Sequence, residues 1–163
     1  IMHTERPEDT FKHLSSLLKD GGEFACYVYA KKAVPRELLD DYFRQQVHSL
    51  NLEDLWKMSE QLTHLGKVLS ELRVSFKCPE IPLLGIKEGE YDIQRFIYWN
   101  FIKCFWNEDL GSKISIATNF DWYSPSNAKR FTEREFLDIV MDNALQTVSF
   151  HKEEACYSGR FRK

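Results

Sequence analysis

The spacing of apolar residues changes along the chain, and each change predicts a different element. Between residues 7 and 18 apolar side chains recur every three or four positions, which predicts a short amphipathic helix. Asp20-Gly21-Gly22 ends this pattern. Residues 24–29 then form a nearly continuous apolar run, as in a strand covered on both faces. Helix, turn and strand together predict the second half of a βαβ unit.

The middle of the chain has helical periodicity. Apolar spacing of the helical type runs from Arg36 to about Arg73 and is interrupted at Leu50-Asn51, which predicts two antiparallel helices. Residues 76–90 contain prolines and glycines and predict a loop. The aromatic stretch from Tyr91 to Trp106 predicts another helix.

The end of the chain predicts a helix followed by two strands. Thr132-Glu133-Arg134-Glu135 is a capping-box sequence, and the helix behind it should end near Asn143. Residues 147–151 and 157–162 alternate in polarity and predict two strands joined through Glu153-Glu154. The arginines that alternate with Phe161 are typical of a half-exposed edge strand.

Composition narrows the class of protein. With 163 residues, 43% hydrophobic and 29% charged, the chain has the make-up of one folded domain or part of one. A net charge of -3 without long runs of one sign gives no basis for a nucleic-acid partner, and no apolar run is long enough to cross a membrane. The four cysteines lie far apart and predict reduced thiols in a cytoplasmic protein without a metal site.

Several local sequences resemble class I S-adenosylmethionine-dependent methyltransferases of the type 11/12 group. The stretch His3-Thr4, the helix after it, and Leu18-Lys19-Asp20-Gly21-Gly22 before a strand ending Tyr27-Val28-Tyr29 resemble the segment after the fourth strand of that family. The helix and hairpin over 132–163 resemble its last helix and its antiparallel sixth and seventh strands. Two further stretches, 94–99 and 119–125, are similar to a bacterial-type subgroup.

This resemblance implies an α/β, Rossmann-like methyltransferase fold that is incomplete. Residues 1–32 would be the late part of the core, 33–118 a helical insert or lid, and 119–163 the helix and hairpin that complete the core. The sequence has no G-x-G-x-x-G turn, so the elements that hold most of the cofactor would lie upstream of Ile1, where the chain resembles an entry into the middle of a fold. The expected function is methylation of a small molecule, with this portion forming the substrate-side wall.

Site residues follow from the implied fold. The loop leaving the fourth strand would bring Ile1, Met2 and His3 to the S-adenosylmethionine site, with His3 as a base or a substrate partner. The alternative for His3 is to cap the next helix or to face water. Methyl transfer itself requires neither a metal nor a covalent nucleophile.

The helical insert supplies the remaining candidates. Arg95 could receive an anionic substrate group or form a surface salt bridge, and Trp99 could shield the pocket or pack the helices. Asp121, between Phe120 and Trp122, could be a buried base with a raised pKa or part of a turn. We count Trp122 and Tyr123 with Arg95 and Trp99 as substrate-binding residues. Cys104, next to Lys103, could have a lowered pKa or be packed in the core.

A second class of function stays open. The chain could be a non-catalytic interaction module, or a degenerate methyltransferase-like subunit, that pairs through the sheet edge left open by the missing strands. It would then form a homodimer or associate with a partner, such as a separate N-terminal half.

Overall fold

The computed structural model describes all residues from Ile1 to Lys163 and divides them into two compact units. The core unit comprises Ile1–Lys31 and Asn127–Lys163, and the helical unit comprises Lys32–Ser126. The helical unit therefore extends past residue 118, where the sequence pattern ends the predicted insert. Together the units make a mixed α/β protein.

The core unit contains one sheet and two helices. In chain order its elements are α1 (Pro7–Ser16), β1 (Glu23–Ala30), β4 (Arg130–Phe131), α6 (Glu133–Asp142), β5 (Gln146–Lys152) and β6 (Cys156–Arg162). The strand order is β4-β1-β6-β5; β1 is parallel to β4, whereas β6 is antiparallel to both of its neighbours. The predicted first helix, apolar strand, capping-box helix and final two strands are all confirmed. The Thr132 side chain and the Glu135 side chain both make their capping-box bonds.

Two expectations about the sheet are wrong. β6 lies between β1 and β5 rather than at an edge. Arg160 and Arg162 lie on its exposed face, where both ion-pair with Glu23 on β1. β1 is also not covered on both faces, since Tyr27 is 52% exposed. The alternate residues of β1 enter the core, where α1 and α6 bring Phe11 and Phe136. A run of apolar residues in a sequence does not show whether other elements pack on one face of the strand or on both.

The helical unit contains four helices and a short hairpin. Its elements are α2 (Val34–Val47), α3 (Leu52–Glu71), β2 (Ser75–Cys78), β3 (Gly89–Asp92), α4 (Ile93–Asn100) and α5 (Gly111–Tyr123). The predicted break between two helices is confirmed, and the Asn51 side chain caps α3 by accepting the Asp54 N–H at 2.9 Å. The predicted pairing of these helices is not their main contact. α3 packs chiefly on α5, and α2 packs on α4 and α5.

Residues 76–90 are a hairpin rather than a loop. β2 and β3 are antiparallel, with Phe76 opposite Tyr91, and a 3-10 turn at Pro82–Leu84 lies in their connection. Apolar side chains on both strands pack into a small core around Ile86, which stabilises this short sheet. The prolines and glycines fall mostly in the connection. Because they are typical of loops, the sequence pattern did not predict the two strands.

The aromatic helix is shorter than predicted, because α4 ends at Asn100 and residues 101–110 are irregular. Side chains from other helices satisfy the backbone of this irregular segment. Gln94 donates to the Cys104 carbonyl at 2.9 Å, while Asn119 accepts the Phe105 N–H at 2.8 Å and donates to its carbonyl at 3.0 Å. These bonds replace the helical bonds that Tyr91–Trp106 was expected to make.

Candidate functional site

A group of buried polar and aromatic side chains fills the centre of the helical unit. We call it the polar cluster; it comprises Arg36, Asp40, Tyr98, Lys103, Trp122 and Tyr123. Helix α2 supplies the first two, α4 supplies Tyr98, α5 supplies the last two, and Lys103 comes from the irregular segment. Charged groups are rarely buried unless they have partners, so the cluster is the first place to seek chemistry.

The polar cluster contains a buried ion pair. Arg36 Nε donates to Asp40 Oδ2 at 2.7 Å, and both side chains are almost fully buried. Arg36 also donates to the Tyr98 carbonyl, and the Tyr123 hydroxyl donates to Asp40 Oδ1 at 2.9 Å. The two carboxylate oxygens therefore have different donors. This network ties α2 to α4 and to α5.

Lys103 lies among aromatic rings. Its Nζ is 4.8 Å from the centre of the Trp122 ring, 5.3 Å from that of Tyr98 and 5.9 Å from that of Phe105. It also donates to the Tyr98 hydroxyl at 3.2 Å. Burial, followed by repulsion from Arg36, lowers the pKa of Lys103 from 10.5 to about 7. The amine is therefore partly neutral at neutral pH and able to exchange a proton.

Because the pKa of Lys103 is lowered, the free energy of unfolding should depend on pH. Between pH 7 and 8.5 the unfolded lysine stays protonated while the folded one loses its proton, so the stability contributed at this site rises with pH. We expect the free energy of unfolding of the wild type to rise by about 1–2 kcal/mol relative to Lys103→Met over this range. Urea titrations followed by tryptophan fluorescence measure this free energy of unfolding. The signal reports on the helical unit, because all four tryptophans lie there.

The control for this titration is Lys67→Met. Lys67 also lies over a tryptophan, with Nζ 5.5 Å from the Trp106 ring centre, but its side chain is half exposed and pairs with Glu71. The charges around Lys103 are Arg36, Asp40, Arg95 and Asp121, and all of them remain in both variants. If the free energies of unfolding of wild type and Lys103→Met change in parallel between pH 7 and 8.5, Lys103 does not titrate in this range.

Arg95 and Trp99, two of the predicted substrate residues, lie together. The Arg95 guanidinium is 5.1 Å from the ring centre of Tyr98 and 5.4 Å from that of Trp99. Arg95 is exposed and Trp99 is half-buried. Lys32 approaches the same indole, with Nζ 5.3 Å from the ring centre. Burial, with repulsion from Arg36, lowers the pKa of Lys32 to about 8. The sequence analysis did not single out Lys32.

Trp122 and Tyr123 are interior residues. Tyr123 is 1% exposed, and burial together with the nearby charge of Asp40 raises the pKa of its hydroxyl. The Trp122 ring has Arg36 and Arg44 within 5.9 Å of its centre in addition to Lys103. Both side chains therefore shape the polar cluster from within.

Asp121 is exposed on α5, so the expectation that it is a buried base is wrong. It lines a shallow surface depression with Lys113, Ile114, Ala117 and Thr118. Residues 119–123 belong to a regular helix rather than a turn, and this helix turns Asn119 and Trp122 inward and Asp121 outward. Asp121 still acts at a distance, since its charge raises the pKa of Lys103.

His3 lies in the core unit at the end of β1. Its Nδ1 is 2.8 Å from the Asn127 carbonyl oxygen, and its Nε2 is 3.4 Å from the Tyr29 hydroxyl. A carbonyl can only accept, so Nδ1 must carry a proton and Nε2 of the neutral ring is the basic atom. The Ile1 carbonyl accepts from Thr4 at 3.0 Å, and the Met2 carbonyl accepts from Lys129 at 2.9 Å. The His3 ring itself is exposed.

Cys104 and Cys26 are not activated thiols. Burial raises the pKa of Cys104 to about 11 and that of Cys26 to about 12. A lowered pKa at Cys104 was one of two readings of the sequence, and it is wrong because desolvation outweighs the nearby cations. None of the four cysteines forms a disulfide bond.

The residues that the sequence analysis missed are Arg36, Asp40, Lys103 and Lys32. A signal was present in α2, where Arg36, Asp40 and Arg44 recur every four residues and therefore share one helix face. That face is buried, whereas the apolar Leu38 and Tyr42 are exposed. A search for apolar stripes assigns the buried side of α2 to the opposite face.

Comparisons of the chain with known protein families, with curated proteins and with solved structures returned no match. No helix combines the length and the apolar composition that crossing a bilayer requires. No group of three or more His, Cys, Asp or Glu side chains is placed to hold a metal ion.

Proposed function

We propose that this chain is the C-terminal part of an S-adenosylmethionine-dependent methyltransferase that acts on a small molecule. In this proposal the core unit contributes the late strands of a Rossmann-like sheet, and the helical unit is the substrate-side wall and lid. The proposal covers the enzyme class and the cofactor. It rests on the sequence resemblance and on the following features of the fold.

One observation carries the proposal. The chain leaves the sheet at the carboxyl end of β1, forms the helical unit, and returns at β4, which pairs with that same end through Tyr29–Arg130 and Ala30–Phe131. Open α/β sheets bind their ligands at the carboxyl ends of parallel strands. A long insert that starts at the carboxyl end of a strand is typical of a substrate-binding cap. The closing hairpin also pairs with β1 through β6.

The residues present fit one side of a methyltransferase site. S-adenosylmethionine, when bound, supplies an electrophilic methyl group. Around Ile1, Met2 and His3 the two carbonyls already accept bonds within the chain, so the exposed His3 ring is the group that we propose faces a ligand. The chain contains no Gly-rich turn to cradle the cofactor. These residues therefore suit the acceptor side.

His3 is the proposed base. Its Nδ1–H is held by the Asn127 carbonyl, which fixes the ring and directs the Nε2 lone pair toward the Tyr29 hydroxyl. If the acceptor hydroxyl or amine takes the place of the Tyr29 hydroxyl, Nε2 can accept its proton. Arg95 and Trp99 stay the candidate substrate-binding residues of the helical unit, and Asp121 would act through its charge on Lys103.

The test uses the complete polypeptide encoded by the gene, wherever its reading frame begins. We expect it to bind S-adenosylhomocysteine in calorimetry and to transfer tritium from methyl-labelled S-adenosylmethionine to a small-molecule extract. In that protein His3→Ala should lower kcat by about 100-fold or more, the usual contribution of a general base. His13→Ala is the matched control, because His13 is an exposed histidine on α1 of the same unit.

Two results would overturn the proposal. If the complete polypeptide binds neither the cofactor nor its product, the enzyme class is wrong and the interaction-module alternative takes its place. If transfer occurs but His3→Ala retains wild-type turnover, the class stands and His3 is not the base.

A further inference from the structure

Helix α3 has three faces, and the helical unit fully buries only one of them. The buried face packs chiefly on α5 and consists of Leu55, Ser59, Thr63 and Gly66. A second face is charged and exposed, and its residues form the ion pairs Glu53–Lys57 and Lys67–Glu71. The third face is apolar. We call it the leucine stripe; its members are Met58, Leu62, Leu65, Leu69 and Leu72.

The leucine stripe leaves apolar surface in contact with solvent. Leu65 is 39% exposed and Leu72 is 56% exposed, and the other three members are half-buried. Val68 lies between these two leucines on the same side of the helix and is exposed as well. From its first to its last member the stripe extends over about 21 Å of helix. A continuous apolar patch of this kind is typical of an interaction surface, whereas single exposed leucines are not.

The spacing within the leucine stripe indicates which partner fits it. From Met58 to Leu72 the members are four, three, four and three residues apart, which is the heptad spacing of helices that pair side by side. The first four members, up to Leu69, have the same spacing in either direction along the chain. Two antiparallel copies of α3 therefore place Met58 of one copy opposite Leu69 of the other, and Leu62 opposite Leu65. By symmetry each of these pairs occurs twice.

The charges at the ends of α3 favour the antiparallel arrangement. Asp54 lies four residues before Met58, on the side of the stripe, and Arg73 directly follows Leu72; both charged residues are exposed. In the register that pairs Met58 with Leu69, Asp54 of one copy lies level with Arg73 of the other. A parallel pair would bring Asp54 next to Asp54 and Arg73 next to Arg73, and like charges repel.

We propose that two copies of this chain form a homodimer in which the leucine stripes of α3 pair antiparallel. A second copy matches the stripe both in apolar spacing and in the charges at its ends. The paired length of about 21 Å is short for a stable interface, so we expect a weak dimer with a Kd on the order of 10 µM. This inference goes beyond the proposed function and does not depend on it, because α3 contributes no residue to the polar cluster.

Sedimentation velocity of the complete polypeptide, over about 1–300 µM, measures the monomer–dimer equilibrium. Leu65→Glu should weaken the dimer about tenfold or more, because it places a carboxylate against Leu62 of the other copy. The matched control is Leu38→Glu, the same change at a leucine on α2 that is 67% exposed, and it should keep the Kd within about twofold. Urea unfolding of each variant shows whether the substitution leaves the chain folded.

A charge exchange tests the antiparallel direction. Arg73→Glu and Asp54→Lys should each weaken the dimer about threefold or more, because each brings two like charges together. The double variant Asp54→Lys with Arg73→Glu should return to within about twofold of the wild-type Kd, since the opposite charges again face each other. Positions 54 and 73 lie about 28 Å apart along α3, so the two changes cannot compensate each other within one copy.

Several results would overturn the inference. The first is a polypeptide that stays monomeric at about 300 µM. If that monomer loses much more stability with Leu65→Glu than with Leu38→Glu, another segment of the same polypeptide covers the stripe. A dimer that tolerates Leu65→Glu forms at another surface, such as the sheet edge. A dimer that the charge exchange does not restore is not antiparallel. The proposed function fails separately, because cofactor binding and methyl transfer are measured independently of the dimer.

Discussion

Asp40→Asn is expected to destabilise the helical unit by about 3–5 kcal/mol, the usual effect of removing one partner of a buried ion pair. The substitution keeps the shape of the side chain but leaves Arg36 charged, 1% exposed and without its anion. In either orientation the Asn amide nitrogen would also face a group that now donates, Arg36 Nε or the Tyr123 hydroxyl. Urea unfolding followed by tryptophan fluorescence measures the change. A loss of this size is a large part of the stability of a typical domain.

The matched control is Glu71→Gln on α3. Lys67 and Glu71 have the same i, i+4 spacing and the same order of charges as Arg36 and Asp40, but they are exposed. We expect Glu71→Gln to change the free energy of unfolding by less than about 0.5 kcal/mol. The double variant Arg36→Met with Asp40→Leu should recover most of the loss, because it leaves no unpaired charge. Equal effects of Asp40→Asn and Glu71→Gln would contradict the burial of this pair.

Gly66→Ala should destabilise the helical unit by about 2–3 kcal/mol through overpacking. Gly66 lies in the interior of α3, where an alanine normally gains about 1 kcal/mol over glycine. A Cβ at this position would clash with the Cys104 carbonyl oxygen and lie 3.2 Å from the Trp106 Cβ. The irregular segment would have to move away, which strains the bond from Gln94 to that carbonyl. Helix propensity alone would make Gly66→Ala stabilising. A loss of stability would therefore show that the Cβ meets the Cys104 carbonyl.

His64→Ala is the control for helix propensity. His64 is exposed on the same helix, so its replacement should change the free energy of unfolding by no more than about 0.5 kcal/mol. Fluorescence-detected urea titrations serve for both variants. If Gly66→Ala proves as stable as the wild type or more so, the close approach of residues 104–106 to α3 is incorrect.

The fold could be predicted where its signals are local. The capping box at Thr132, the helix break at Leu50-Asn51 and the final hairpin depend on bonds or alternation among neighbouring residues, and all three are present. The hairpin at 75–92 was missed because its strands are only four residues each and the prolines and glycines nearby dominate the pattern.

The candidate site was predictable only in part. Arg95 and Trp99 were identified from sequence and do lie together, since one helical turn separates them. Asp121 was expected to be buried because it has aromatic neighbours in the chain, but adjacent residues of a helix point in different directions. Lys103 gave no sequence signal, because its pKa depends on burial by residues of other segments.

The sequence by itself determined where most helices and strands begin and end, because caps, turns and periodicity act over a few residues. Only the tertiary structure decided which face of α2 is buried. Arg36 bonds to Tyr98, 62 residues away, and Asp40 to Tyr123, 83 residues away, and these partners let a polar face enter the interior while Leu38 stays exposed. Burial of a charge depends on partners that a local pattern does not contain.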